Sequence, residues 1–382
     1  MSVSRRMLLL TGSAAVTVAG VTWAATRDPK AARAPWREAA AGFGDPRLDV
    51  LAYAILAPNP HNMQPWRIRL DGENALTVFC DHDRLLPETD PPNRQITIGF
   101  GAFLELLRQA AAERGFLAEI TPFPEGQSHP ALDDRPIAKV TLVQTDAVER
   151  DPLFGQVLLR RTNRAPFDTS KIPSADDLSA VVQTANSAVA AGFVAKPAMV
   201  EDLRALTIAA WRTEWALKRT REESINVTRI GKTENNTNPY GLSLAGAPMD
   251  AAAGLGLLTH EKMNEEGSTA YEQSLEFYEK ACETASAYAW IKTASNTRID
   301  QLESGRAWVR MQLAAATHGL GFHPLSQALQ EFPEMAEHYA RAHELLGAKE
   351  GETVQMLSRL GYATRKTPPA PREALISKLI PI

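Results

Sequence analysis

Two stretches of this chain carry one pattern at identical spacing: Gly101-AFLELLRQ-Ala110-Ala111-Ala112-ER-Gly115 and, 204 residues on, Gly305-RAWVRMQL-Ala314-Ala315-Ala316-TH-Gly319. Apolar residues run around most of each circumference, among them Phe103, Leu104, Leu106 and Leu107 in one and Trp308, Val309, Met311 and Leu313 in the other. Helices apolar on all sides are buried. Each ends at a glycine, the residue suited to a helix C-terminus. A strand candidate follows each, Ala138 to Val143 and Val354 to Ala363. The expectation is an α+β chain of two related halves, residues 35–150 and 151–382, packed around a pair of central helices with antiparallel-type sheets. Two similar core helices in an alanine-rich protein would leave the same trace.

The 382 residues have room for two domains or one large fused one, at roughly 150 residues per domain. Hydrophobic residues at 44% and charged residues at 23% are ordinary for a globular protein, and a core of good size is available. Forty-one basic against forty-five acidic residues leave a net charge of -4, which carries no general footprint for nucleic acid. Any anion site must therefore be local. Two cysteines, Cys80 and Cys282, make no disulfide framework and read as small buried hydrophobes. The eight histidines form no i, i+4 pair and no Cys/His array, so no metal centre is expected. Dinucleotide, P-loop and nucleophile-elbow signatures are absent.

The first residues belong to another category. Ser4-Arg5-Arg6-Met7-Leu8-Leu9-Leu10 precedes a modestly apolar run to Ala25, and residues 1–34 read as a twin-arginine export signal. A basic tail with a membrane helix is the other reading, since the run of roughly 19 residues is near the ~20 that cross a bilayer. An uncleaved anchor stays open for the same reason. The twin-arginine route carries folded proteins, which hints at a prosthetic group taken up beforehand. The export machinery is then a partner, and the protein is expected in the periplasm or anchored facing away from the cytoplasm.

Three further segments stand out. In "LAPNPHNMQPWRIRL", Leu56 to Leu70, prolines frame His61, Asn62 and Gln64, and Trp66 opens an alternating strand that places it in the core. "RRTNRAPFD", Arg160 to Asp168, gathers arginines whose forked donors match phosphate oxygens, though a solvated basic loop would look alike. Residues 226–267 turn to Gly, Asn and Pro, the composition of a long irregular insertion or lid. Asp90-Pro-Pro-Asn-Arg94 reads equally as an Asp/Arg turn pair or as a recurrent family motif.

"APNPHNMQPW", "RRTNRAPF", "GLGFHPLSQ" and "RLGYATRKTPPAPREAL" together resemble the FMN-binding nitroreductase family over roughly residues 45 to 380. Ordinary members are homodimers with the arginine motif before the Asn-Gln turn, and this chain has the reverse order. With the export signal and the related halves, it looks like the Acg-like branch, in which one chain imitates a dimer; a higher oligomer is also open. The resemblance implies that Arg160, Thr162, Arg164 and Arg372 hold the phosphate and ring of FMN. It further implies that Pro58, Asn59, Pro60, Asn62 and Gln64 form the ring-side turn, and that Pro324, Leu325 and Ser326 flank N5. Arg164 becomes the catalytic candidate, stabilising charge near N1, and Tyr240 and Met249 become candidate cover residues. Asn59 and Pro60 stand where many relatives have serine, and Ser326 where some have glutamate. One complete site per chain follows, because the segment from Ala175 to Lys196 has no Asn-Gln turn. The activity implied is electron transfer through FMN to a quinone, nitro compound or similar small acceptor. An exported protein that shields FMN with little turnover is the alternative.

Overall fold

The computed structural model describes Trp23 and residues 26–381. The paired arginines of the expected export signal lie outside the described residues. No helix among the described residues is long and apolar enough to cross a membrane.

Both halves repeat one topology. The first holds β1 (Trp66–Asp71), β2 (Ala75–Cys80), β3 (Phe116–Pro122) and β4 (Ala138–Gln144), in the sheet order β1-β2-β4-β3. After β5 (Ala190–Val194), a parallel pair β6 (Thr228–Ile230) and β7 (Leu242–Leu244) stands apart from the main sheets. The second sheet combines β5 with β8 (Ala287–Thr293), β9 (Gly321–Pro324) and β10 (Thr353–Gly361), in the order β5-β8-β10-β9. Every neighbouring pair in both four-stranded sheets is antiparallel. By position the two orders are the same, with helix α1 (Arg94–Glu113) between the second and third strands of one half and α2 (Arg298–Thr317) between those of the other. The repeat seen in the helices thus extends to the sheets. The large difference is the link between the first two strands, a short hairpin in one half and residues 195–286 in the other.

The two central helices meet at their glycines. A Cβ on Gly101 would overlap the Leu302 carbonyl oxygen and lie 3.0 Å from the Gly305 Cα; one on Gly305 would overlap the Ile98 oxygen and lie 2.9 Å from the Gly101 Cα. The starts of the helices differ. Thr297 and Asp300 form a capping box on α2, whereas Asp90 accepts from the Gln95 and Ile96 amides of α1 at 3.1 and 2.9 Å. Asp90 therefore caps a helix and does not pair with Arg94, because Arg94 is used elsewhere: it donates to the Leu329 and Gln355 carbonyls and to Glu331. Its repeat counterpart, Arg298, donates to the carbonyls of Pro92, Ser128 and Pro130. Arg94 and Arg298, both buried, thus each anchor one half in the other.

The main core runs across both halves, with Trp66 fully buried against Phe103 at 5.1 Å between ring centres. Cys80 and Cys282 are free and buried. Residues 226–267 are not irregular: they contain β6, β7 and short helices at Gly231–Thr237, Ala247–Gly254 and His260–Asn264. Turn residues divide this segment into short elements, and local bonds such as Asn235 Nδ2 to Arg229 O at 3.0 Å keep it ordered. The C-terminal segment leaves the second half: Ile380 N donates to Ile68 O on β1 at 2.9 Å, and Arg372 N donates to Ala32 O at 2.8 Å. Ala32 is buried. Packing therefore begins before residue 35, and the tail of the second half belongs spatially to the first.

Candidate functional site

The helix Pro46–Ala54 runs into Ile55, Leu56 and Ala57, all buried, whose carbonyls serve as acceptors. Arg372 donates to all three, each at 3.0 Å, and to Asn62 Oδ1. Arg160 arrives from the second half and donates to Leu56 O and, at 3.3 Å, to Gln312 Oε1. Together with Arg161 these guanidiniums lie over the Trp36 ring, 5.0 to 5.5 Å from its centre. A helix C-terminus carries roughly half a negative charge, well short of three cations. Among the described residues no carboxylate pairs with any of them, and Arg160 Nε is buried without a partner. Burial, then Arg372 and Arg161, holds Arg160 well below the usual arginine range; burial, then Arg161, brings Arg372 down to about 9. Guanidiniums keep their proton in proteins, so the unrelieved repulsion amounts to a demand for an anion. Thr162 completes this end, accepting from Gln312 Nε2 at 3.4 Å.

The turn after the helix is strained. His61, Asn62 and Gln64 have φ of 44°, 57° and 53°, each a left-handed conformation costing on the order of 1–3 kcal/mol. Asn59 closes the turn by accepting from Gln64 N at 2.8 Å and donating to Ala57 O at 3.0 Å. Asn62 Nδ2 donates to Gly241 O and Pro371 O; Gln64 Nε2 donates to Pro239 O, and Gln64 Oε1 accepts from Glu373 N. Both amide side chains, expected at the ring, are thus occupied in tying the turn to the insertion and the tail. Pro58 is buried, while Asn59 and Pro60 are half-buried over Gly99 of α1.

At the other end Arg164 is exposed, and no hydrogen bond or ion pair engages it among the described residues. Its surroundings are nonetheless dense: burial is the main cause lowering its pKa, and its charge helps hold His61 and His323 neutral. Arg164 is thus reached by solvent while its charge acts on both histidines. His61 is pushed down to about 4, first by burial and then by Arg164. Pro324 and Ser326 are half-buried beside it, but Leu325 is core, 1% exposed, with its amide on Leu357 O. Leu325 therefore offers no side chain to a ligand. Tyr278, in the helix Thr269–Glu283, stacks on Trp211, ring centres 4.4 Å apart, and donates to Gln327 Oε1 at 2.9 Å. Tyr240 is held between Arg84 and Arg229, 3.4 and 4.5 Å from its ring centre, and Met249 is half-buried in the helix Ala247–Gly254.

The internal repeat places Arg108 where Gln312 stands in the other half. There Arg108, Arg306 and Arg310 surround Glu105, the nearest pairs at 2.7 to 3.4 Å, with Asp151 joining them. Despite burial, Arg108 and then Arg306 hold Glu105 down at about 2. The related position is filled by the protein's own carboxylates, so it lacks the unneutralised charge of the Arg160, Arg161 and Arg372 cluster. Sequence reasoning missed Trp36, Gln312, Tyr278, His323 and Arg359. Of these, Arg359 left a signal, a lone cation inside an otherwise uncharged run from Thr353 to Gly361.

No family model matches the chain. An uncharacterized protein of Mycobacterium tuberculosis is 37% identical over 122 residues, 30% of this chain and 34% of that protein. The "Putative NAD(P)H nitroreductase acg" of the same organism is 30% identical over 167 residues, 43% of this chain and 47% of that protein. The match thus spans about a third to a half of these relatives' length. A further M. tuberculosis protein, "Putative NAD(P)H nitroreductase Rv3131", is 26% identical over 332 residues, 85% of this chain and 88% of that one. Among solved structures, a nitroreductase-named protein of Anabaena variabilis aligns with a TM-score of 0.43 at 11% identity, over 80% of this chain and 82% of its own. The FMN-dependent nitroreductase NfnB of Mycobacterium smegmatis, in complex with NADPH, aligns with a TM-score of 0.35 at 17% identity, over 58% of this chain and 94% of its own.

Proposed function

We propose that Arg160, Arg161 and Arg372 at one end and Arg164 at the other border a cleft that binds FMN, one per chain, and that the protein is a nitroreductase-like oxidoreductase that passes electrons to a quinone, nitro compound or similar small acceptor. The observation that carries this reading is the cluster of Arg160, Arg161 and Arg372 with no carboxylate partner among the described residues. It suits the phosphate of a mononucleotide. Arg160, Arg372 and Thr162 would hold that phosphate, and Arg164, Pro324, Ser326 and the 58–64 turn would frame the ring. Bound FMN supplies hydride and electron transfer; the chain supplies placement and charge. Arg164 is a free cation where negative charge has to be accommodated. The name of the relative matched over 88% of its length supports the same class and suggests a nicotinamide donor. The twin-arginine reading adds delivery of a folded, loaded protein across the membrane.

A second reading, FMN storage with little turnover, is favoured by the insertion, whose Pro239 and Gly241 carbonyls accept from the turn beside the cleft. Acid release and chromatography of the pigment tests the shared premise: FMN at one per chain is expected, and FAD or two flavins contradicts it. Anaerobic reduction followed by reoxidation with quinone or nitro acceptors then separates turnover from storage. Export is tested by replacing Arg5 and Arg6 with lysine, which should leave loaded protein in the cytoplasm.

A further inference from the structure

His323 on β9 and Arg359 on β10 stand opposite each other in register. Arg359 is wholly buried. Its Nε donates to His323 Nδ1 at 2.9 Å, and its Nη2 donates to the Ala165 and Asn163 carbonyls at 2.8 and 3.2 Å. Its guanidinium also sits 4.0 Å from the centre of the Phe167 ring, so its orientation is fixed on several sides. Guanidinium nitrogens only donate. The imidazole nitrogen that meets one must present a lone pair, which leaves the ring proton on Nε2. A second proton on Nδ1 would set N–H against N–H. Burial and the arginine charges act the same way, keeping His323 neutral far below the usual histidine range.

The backbone shows where this ring lies. Asn163 N donates to Phe322 O at 3.1 Å and Thr162 forms a parallel bridge with Phe322, which runs the arginine motif along β9 and brings Arg164 beside the His323–Pro324 step. Tyr278 meets the His323 ring edge-on, 5.6 Å between centres. Among the described residues no protein acceptor meets His323 Nε2.

We propose that Arg359 fixes His323 as a neutral Nε2–H donor which, with Arg164, makes a donor-only wall at the ring end of the cleft, complementary to an acceptor oxygen of the ligand. That oxygen is a carbonyl of the flavin ring or the quinone or nitro oxygen of a second substrate. The proposal rests on the flavin reading of the cleft. In it Arg359 is a positioning residue, acting through His323.

The test uses the full chain with 15N-labelled histidine, the His323 signals being assigned by their loss in His323→Gln. In flavin-free protein, long-range 1H–15N spectra should show a proton on Nε2 and a bare Nδ1. Arg359→Lys, which keeps a donor, should retain that pattern, and Arg359→Met should release it to mixed tautomers. A wild-type proton on Nδ1, or an unchanged pattern in a folded Arg359→Met variant, overturns the lock. Should that variant not fold, the wild-type and lysine spectra decide. FMN is then added, followed by p-benzoquinone on the oxidised, loaded protein. A downfield move of the His323 Nε2 proton with FMN assigns the oxygen to the flavin, and a move only with quinone assigns it to the acceptor. No move in either case, with FMN binding verified by absorbance, overturns the donor role. Failure to bind FMN overturns the cleft reading and the ligand half of the proposal, while the flavin-free spectra still settle the tautomer.

Discussion

Gly101 and Gly305, related by the internal repeat, are in mutual contact at the crossing of the two central helices: the Cβ that either lacks would overlap the other helix's backbone. Because the obstructing atoms are carbonyl oxygens of Leu302 and Ile98, no side chain can turn aside to make room. Gly305→Ala should therefore force the helices apart and lower stability by about 1–3 kcal/mol, the usual cost of overpacking. Gly254→Ala has open space around the new methyl and should be close to neutral. Urea midpoints of the two variants check this, and equal midpoints would mean that the helices do not cross as described.

A milder intrusion should act on the site alone. A Cβ on Gly99 would lie 3.0 Å from Asn59 Cβ and 3.3 Å from Pro60 Cδ, so Gly99→Ala must lift the turn by a few tenths of an ångström. The turn already holds left-handed residues and has little freedom to adjust. FMN affinity should fall roughly tenfold, about 1.4 kcal/mol, with little change in the unfolding midpoint. Fluorescence titration of FMN measures the first quantity. Unchanged affinity would remove the 58–64 turn from the site.

The same particulars show what the sequence could reveal. The two central helices, β4, β10 and the core place of Trp66 were legible, because burial needs a repeating apolar face, whereas β3 and β9, which follow the helices directly, were not. The arginine motif was legible as a cluster of donors. Its lack of carboxylate partners was not, since that depends on what Trp36 and Gln312, over a hundred residues away in the chain, bring beside it. Asn62 and Gln64 illustrate the opposite case. The family resemblance implied ligand contacts, yet the strained turn also uses these amides for internal bonds, and only the folded positions of Pro239, Pro371 and Glu373 reveal that use. Leu325 was placed by a motif that fixes the strand but not which side chains leave it.

Buried carboxylates set an uncommon pH profile. Burial raises Glu214 and Glu223 to about 7 and Asp90 to about 6. With unfolded values near the ordinary carboxylate range, the folded protein binds more protons than the unfolded chain as pH rises from there to about 7, so stability falls across that window. Glu105, held at about 2, works the other way: its contribution is present above the ordinary glutamate value and is lost as pH falls toward 2. Stability should peak near the ordinary carboxylate values, at about pH 4, and decline until about pH 7. The fully buried Glu214 accounts for roughly 3 kcal/mol of that decline, as an order of magnitude. Glu214→Gln should flatten it, since an amide need not ionise and can serve Gln330 Oε1, buried without a partner. Urea midpoints across this range check the slope; a profile that rises toward about pH 7 would show these carboxyls to be solvated.

The last prediction isolates the anion demand from the flavin. If Arg160, Arg161 and Arg372 repel one another in the cleft, any small dianion that reaches them should stabilise the flavin-free protein, because a ligand bound only by the folded state adds about 2.7 kcal/mol at a hundred times its Kd. Sulfate also strengthens burial in every protein by exclusion from surfaces, so a rise in Tm over chloride at equal ionic strength is not sufficient alone. The discriminating variant is Arg160→Gln. It removes one buried cation while keeping a donor for the Leu56 carbonyl, and its non-specific response to sulfate should match wild type. The expected result is a larger sulfate increment in wild type than in Arg160→Gln, together with weaker FMN binding by the variant. A charged hydrogen bond of about 1.5–3 kcal/mol sets the size of that loss. Equal increments, with FMN affinity preserved, would mean that helix carbonyls and Trp36 already satisfy the cluster and that the three arginines serve only to join the halves.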